Sequence, residues 1–178
     1  HASAAREVMG LPVQRAANWL ATAAPGASPP IALALGDNRH RFTVAEDLQS
    51  RGLELATVIH PSAFISPSAT VEPGVFIGPR AVVHVAARLG VAALVNSGAV
   101  VEHHNVLGAA CHVAPGATLT GRVQVGARAL VGAGASAIPD VRIGDDAIVG
   151  AGAVLIADVP DGATVVGAPA RPLERNHR

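Results

Sequence analysis

Residues 118–153 read TLTGRV QVGARA LVGAGA SAIPDV RIGDDA IVGAGA, six blocks of six whose second residue is Leu, Val, Val, Ala, Ile and Val in turn. The same phase runs back to Val58 through VIHPSA, FISPSA, TVEPGV, FIGPRA, VVHVAA, RLGVAA, LVNSGA, VVEHHN, VLGAAC and HVAPGA, and forward to VLIADV, which ends at Val159. Sixteen of these seventeen hexads carry Val, Ile or Leu at the second place, the exception being Ala137. With 46 such residues in 178, chance would supply about four, so the repeat is the dominant signal in the chain.

A period of six fits neither an amphipathic helix nor an alternating strand continued indefinitely. It fits a triangular parallel β-helix in which each hexad makes one short face and one corner. The second residue points inward, and the sixth, usually Ala, Val, Asn or Cys, is the small residue beside it. Gly, Pro, Asp and Asn gather at the third to fifth places, where a corner needs turn chemistry. Three hexads close a coil of eighteen, so six coils are expected from Val58 to Val165. Residues eighteen apart then stack in columns at the strand spacing of about 4.8 Å.

The composition agrees with such a core. Half of the residues are hydrophobic but only 2% are aromatic, which leaves Val, Ile, Leu and Ala to fill the interior. Thirteen basic residues balance thirteen acidic ones, so no net charge draws the chain to nucleic acid or to an anionic membrane, and neither is an expected partner. Cys111 is the single cysteine, which excludes an intrachain disulfide and suits a reducing compartment. No run of eighteen apolar residues is present, and the opening HASAAREVMG lacks the basic-then-apolar shape of a signal peptide. The expectation is a soluble, cytoplasmic protein.

Residues 1–57 differ in character. SAAREVM and VQRAANWLATA read as helical, IALAL as a short strand ending at Gly36, FTVAEDLQSRG as a helix with a glycine stop, and LELATVI as a second strand. Strand, helix, strand suggests a small α/β unit with a parallel sheet. Such sheets bind nucleotides at the carboxyl ends of their strands, so Gly36 and Asp37 in GDN are candidate contacts, with a plain loop and helix start as the alternative.

With that unit, the segment VNSGAVVEHHNVLGAACHVAPGATLTGRV and the ending VPDGATVVGAPAR taken together, the chain resembles the NeuD/PglD-like sugar acetyltransferases, hexapeptide-repeat acyltransferases with a left-handed β-helix. The resemblance covers residues 31–171. It implies three regions: an incomplete Rossmann-like α/β domain for the nucleotide sugar over 1–57, the left-handed β-helix over 58–165, and a tail over 166–178. It also implies a homotrimer that moves acetyl from acetyl-CoA to an amino group of a nucleotide-linked deoxysugar. O-acetylation of a sialic-acid-like sugar and a non-catalytic trimeric scaffold are the alternatives. Family members usually open with a strand, a Gly-rich loop ending Gly-His-Ala, and a second strand bearing acidic residues. Here HA at the start runs on without that first strand or the acidic one, so those parts are expected to precede or interrupt the sequence given, and His1 would be the histidine of the loop.

His103, His104 and His112 carry the chemistry in this reading. A zinc site of the β-helix carbonic anhydrase kind needs two histidines five residues apart and a third whole coils away. No pair among His84, His103, His104 and His112 has that spacing, and no metal is expected. Removing the proton of an attacking amine suits histidine, whose free titration lies near neutrality. His103 aligns with the family's base, and Gly121, eighteen residues on, falls in its column, where its N–H can meet the oxyanion and the missing side chain permits close approach. His112 is half a coil away from His103 and aligns with a residue that contacts acetyl-CoA, which places the two together only in a cleft between protomers. The family usually has Asp or Glu after the base. His104 stands there instead; it can orient the imidazole by hydrogen bonding but brings no negative charge. The resemblance further implies CoA contacts at Ala133, Ala151 and Arg171, and a sugar contact at Asn96, against the plainer reading of corner residues.

Overall fold

In the computed structural model, residues 7–9 and 11–173 are described, and residues 58–166 form a parallel β-solenoid of about six turns. Its two-residue strands stack in three sheets. Face one contains Val58–Ile59, Phe76–Ile77, Leu94–Val95, His112–Val113, Leu130–Val131, Ile148–Val149 and Thr164–Val166. Face two contains Phe64–Ile65, Val82–Val83, Val100–Val101, Thr118–Leu119, Ser136–Ala137 and Val154–Leu155. Face three contains Thr70–Val71, Arg88–Leu89, Val106–Leu107, Gln124–Val125 and Arg142–Ile143. The pairing is parallel with each residue opposite the one eighteen further on, as in Val100 with Thr118 or Val101 with Leu119.

That register sends every second-place residue inward. Ile77, Val83, Leu89, Val95, Val101, Val113 and Leu119 are essentially inaccessible, and so are the sixth-place residues Ala81, Ala87, Ala93, Ala99, Cys111 and Ala117. Burying each Val, Leu or Ile side chain contributes roughly 1.5–3 kcal/mol, and the narrow prism leaves room for only one large and one small residue per face. The corners use left-handed backbone at the fifth place, taken by Gly98, Gly116, Gly134 and Gly152, but also by Ala92, His104, Ala110, Arg122, Arg128, Asp140 and Asp146.

The six equal coils read from the sequence are corrected at the end. Five coils have eighteen residues, but Ile148 pairs with Thr164 and Ile143 with Val159, each sixteen residues on. Two residues are missing from the corner after Leu155. The Asp158 carboxylate takes the Arg142 N–H at 2.8 Å in place of the carbonyl a full corner would supply. Asp161 likewise accepts the Asp145 N–H at 2.9 Å, and Val165 and Val166 pair antiparallel with Pro172 and Arg171.

The N-terminal region departs further from the sequence reading. Glu7–Val8 pairs antiparallel with Leu11–Pro12, where a helix was expected over SAAREVM, and Met9 between them has a φ of 51°. The expected helix over residues 13–23 shrinks to α1, Ala16–Leu20, which has no buried residue to hold a longer one. Among the described residues no Rossmann-like sheet forms. Ile31 and Leu55 make a single parallel bridge, and residues 32–35 run on without strand pairing. The second helix, α2, spans Asn38–Ser50, starting earlier than expected because Asp37 caps it, accepting the His40 N–H at 2.7 Å. It ends before Gly52, at φ 69°, as a glycine stop requires. Among the described residues no helix is long and apolar enough to cross a membrane.

Candidate active site

Three edges separate the three faces, and the candidate residues divide among them. The edge between faces two and three carries His103, His104 and Gly121. His103 is the fourth residue of its hexad, half-buried, and His104 the fifth, exposed with φ 59°. The two imidazoles stand edge to face with Nδ1 atoms 3.1 Å apart. Only one of these nitrogens can hold the proton in the neutral pair. With Nδ1–H on His103 donating to His104 Nδ1, the His103 Nε2 lone pair is left free for a base.

Below that ring lies Gly121. A Cβ there would fall 2.5 Å from His103 Nε2 and closer still to Cε1, so no other residue type fits without displacing the imidazole. The Gly121 N–H has no hydrogen-bond partner among the described residues. A free nitrogen lone pair and a free backbone donor thus lie side by side on one edge. Next in the column after His104, Arg122 and Asp140 form a forked ion pair at 2.6 and 2.7 Å, and Arg122 holds the Asp140 carboxyl below the usual carboxylate range. Glu102 stays close to its own chain, its carboxylate 3.4 Å from the His103 N–H.

His112 occupies a different side. It starts a strand on face one, half-buried, and accepts a hydrogen bond from Asn96 Nδ2 at its Nε2, 3.2 Å away. Asn96 Oδ1 is occupied by the Ser97 N–H at 2.8 Å, which fixes the amide orientation, so neutral His112 carries its proton on Nδ1. Burial first, and then the nearby Arg41 guanidinium, push His112 below the ordinary imidazole range. The sequence reading gave Asn96 to the sugar and His112 to the cofactor; the structure joins them directly.

A pocket of about 400 Å³ opens beside His112, lined also by Gly36, Asp37, Arg39, Arg128 and Asp146. The sequence-stretch GDN therefore does reach the solenoid, although Asp37 also has a plain structural duty as helix cap. Ala133 and Ala151 lie on the edge between faces one and two, exposed, and neither amide N–H has a partner among the described residues. The neighbouring glycines answer to coil stacking: a Cβ on Gly132 would meet the Ala151 nitrogen at 2.6 Å, and Gly134 and Gly152 sit at φ 66° and 67°. The Arg171 side chain is exposed and, among the described residues, donates to the Ala170 carbonyl alone, at 2.8 Å. His1 lies outside the described residues. No group of His, Cys, Asp and Glu able to hold a metal ion occurs among the described residues, and His84 packs against Phe64 at 6.2 Å between ring centres.

Two residues that the sequence reading passed over support this arrangement. Arg41, 1% exposed on α2, donates to Ala92 O, Leu35 O, Ala110 O and Asn38 Oδ1 at 2.7–3.0 Å, with Cys111 O at 3.3 Å. It fastens the helix to the third edge beside His112. Asn38 adds bonds to Arg128 O and Ala129 O, both at 3.0 Å. Asn105 is the other, fully buried and bonded to the coil that carries Gly121. Its signal was visible as the one carboxamide at a sixth place; Arg41 has no periodic signal at all.

Residues 122–157 match the family described as bacterial transferase hexapeptide (six repeats). A comparison with curated protein sequences returned no match. Among solved structures, the chain is 39% identical to PerB from Caulobacter crescentus in complex with CoA and GDP-perosamine, covering 95% of this chain and 82% of that one with a TM-score of 0.88. The chain belongs to the hexapeptide-repeat sugar acetyltransferases. The acetyltransferase domain of PglB from Neisseria gonorrhoeae FA1090, in complex with acetyl coenzyme A, is similar at 37% identity over 94% of this chain and 81% of that one, TM-score 0.89. WeeI from Acinetobacter baumannii AYE follows at 27% identity, 94% and 80% coverage and a TM-score of 0.86.

Proposed function

We propose that the chain is an acetyl-CoA-dependent N-acetyltransferase acting on the amino group of a nucleotide-linked amino-deoxysugar. The observation that carries this is the His103 ring seated on Gly121 with His104 behind it, in a chain 39% identical to a protein held with CoA and GDP-perosamine. His103 Nε2 accepts a proton from the amine as its nitrogen attacks the thioester carbonyl carbon. The Gly121 N–H donates to the oxygen that gains negative charge, and the proton on His103 then passes to the departing CoA sulfur as the C–S bond breaks. His104 keeps the His103 ring turned so that Nε2 faces the reaction.

On a left-handed solenoid assembled as a homotrimer, His112 of one protomer would contact acetyl-CoA beside His103 of the next. The unpaired amides of Ala133 and Ala151 suit the amide-bearing pantetheine arm, and the Arg171 cation suits the CoA phosphates. Asn96, Gly36 and Asp37 line the side from which the sugar nucleotide would approach, with residues 1–57 contributing to its binding domain, 58–165 as the catalytic prism and 166–178 as the tail. A cytoplasmic site of action follows from the supply of both co-substrates there. The test is incubation with acetyl-CoA and UDP-, GDP- or dTDP-linked amino sugars, read by mass spectrometry. One acetyl added to the amine with stoichiometric CoA release is expected. An ester product would transfer the reading to O-acetylation, and neither product with any of these nucleotide-linked acceptors would leave the trimeric scaffold.

A further inference from the structure

Each corner of the solenoid must place the N–H of its sixth residue. Ordinary corners close on themselves, the N–H donating to the carbonyl of the third residue, as in Ala69 to Ser66 at 2.9 Å, Ala87 to His84 at 3.3 Å and Cys111 to Gly108 at 3.2 Å. The corner containing Gly121 is built otherwise. Its sixth residue, Val123, gives its N–H to Asn105 Oδ1 at 2.6 Å, and Asn105 Nδ2 donates to Leu119 O at 3.2 Å. One carboxamide therefore braces the loop Thr120–Gly121–Arg122 at both ends. The corners ending in Val75, Asn105 and Val141 lack the closing bond too, so an open corner does not itself require a carboxamide; among the described residues only at Val123 does a side chain take the N–H.

The consequence falls on a single peptide unit. Thr120 C=O and Gly121 N–H belong to the same peptide, and neither has a hydrogen-bond partner among the described residues. Asn105 is 0% exposed in an otherwise aliphatic interior, where a carboxamide is tolerated only because both its ends are satisfied. Every other hexad from Val58 to Val159 puts Ala, Val or Cys at this place.

We propose that Asn105 is a positioning residue, which braces the 120–122 corner on both sides so that the Thr120–Gly121 peptide keeps its N–H aimed at the acetyl carbonyl beside His103. The inference rests on the acetyltransferase reading and deepens it. Replacing Asn105 by Ala, the commonest sixth-place residue, takes the side-chain partner from the Val123 N–H and the Leu119 C=O, loosens the corner between them and lets the donor drift from its aim. In Asn105→Ala, kcat should fall about 10²-fold, as for a lost oxyanion donor, with KM for acetyl-CoA and for the sugar within about twofold.

Asn105→Asp separates positioning from folding. Burial keeps the introduced carboxyl protonated, and in that form it can accept from Val123 and donate to Leu119 as the amide does. It should recover most of the lost kcat at low pH and lose it as pH rises and the donor is removed. Equal kcat loss in both variants at every pH, or a loss of Asn105→Ala activity carried wholly by KM, overturns the inference. If Asn105→Ala does not fold, amide NMR of the native chain decides. A protected Val123 N–H together with a Gly121 N–H shifted by acetyl-CoA supports it, whereas shifts elsewhere that leave Gly121 unmoved overturn it. Absence of any acetyl-CoA-induced shift would instead remove the acetyltransferase reading itself, and this inference with it.

Discussion

Two edges of the same prism use the same backbone for opposite ends. On the edge between faces three and one, the left-handed fifth places Ala92 and Ala110 are buried under Ala45 and Leu48 of α2 and Leu53 and Leu55 after it, while Arg128 and Asp146, further along that edge, are half-buried and paired with each other. On the edge between faces two and three, the equivalent places are His104, Arg122 and Asp140, all exposed. A side chain at positive φ is uncommon and strained in both settings. Where a helix covers the edge, the cost is limited by keeping the residue small; where the edge is bare, the same conformation lifts polar groups outward and sets one imidazole against another. The difference locates chemistry on the bare edge and anchorage on the covered one.

The sharpest break in that contrast is His103→Ala, expected to lower kcat by about 10²–10⁴-fold through loss of the base, with the melting temperature unchanged within about 2 °C because the half-buried ring lies outside the aliphatic core. Parallel kinetic and melting measurements check both halves. Arg41→Met acts on the covered edge in the reverse sense. Carbonyls of Leu35, Ala92 and Ala110 lose their donor, which costs about 3 kcal/mol in total. A fall in melting temperature of roughly 6–12 °C follows for a chain of this size, and an unchanged melting curve would deny the anchor.

Gly121→Ala should reduce kcat about 10²-fold by moving the imidazole off its seat, while Gly36→Ala, with open space around its Cβ, should leave stability alone. The His112 shift supplies a pH effect on the covered side. Its folded form resists protonation, so between the folded value and the unfolded value of about 6.5 the unfolded chain binds more protons, and stability falls as pH drops below that unfolded value. The slope of melting temperature against pH over 7 to 5 should flatten in His112→Gln. The smallest effect is expected of His104→Asp, which keeps a partner for His103 Nδ1 and adds charge: activity should be retained or raised, and a large loss would show that the second imidazole has a duty of its own.

The period of six made most of this legible in advance. Counting by eighteen from His103 reaches Gly121, and the structure does place that glycine under the imidazole. The same arithmetic fails after Leu155, because two residues drop out of a corner and Asp158 bridges the gap with its side chain, which no apolar periodicity can signal. Residues 1–57 have no repeat to correct local guesses. Ile31 and Leu55 bear the marks of strands, yet they touch at one bridge only, and residues 32–35 pair with nothing. Arg41 is legible least of all, since a cation on a helix reads as a solvated residue until the carbonyls of two coil corners and of Leu35 are brought around it. His103, His104 and His112 were visible as residues, whereas the Nδ1 contact of the first two and the Asn96 bond of the third depend on rotamers.

The reading that a base from one protomer works with His112 from its neighbour is tested most directly by co-assembling His103→Ala and His112→Ala chains, each inactive alone. Random mixing in a closed ring of three pairs an intact His103 with an intact neighbouring His112 at about a quarter of the sites. Acetyl transfer near a quarter of the native rate is the expected result. Mixed assemblies, verified by mass, that stay as inactive as either parent would contradict a site shared between protomers.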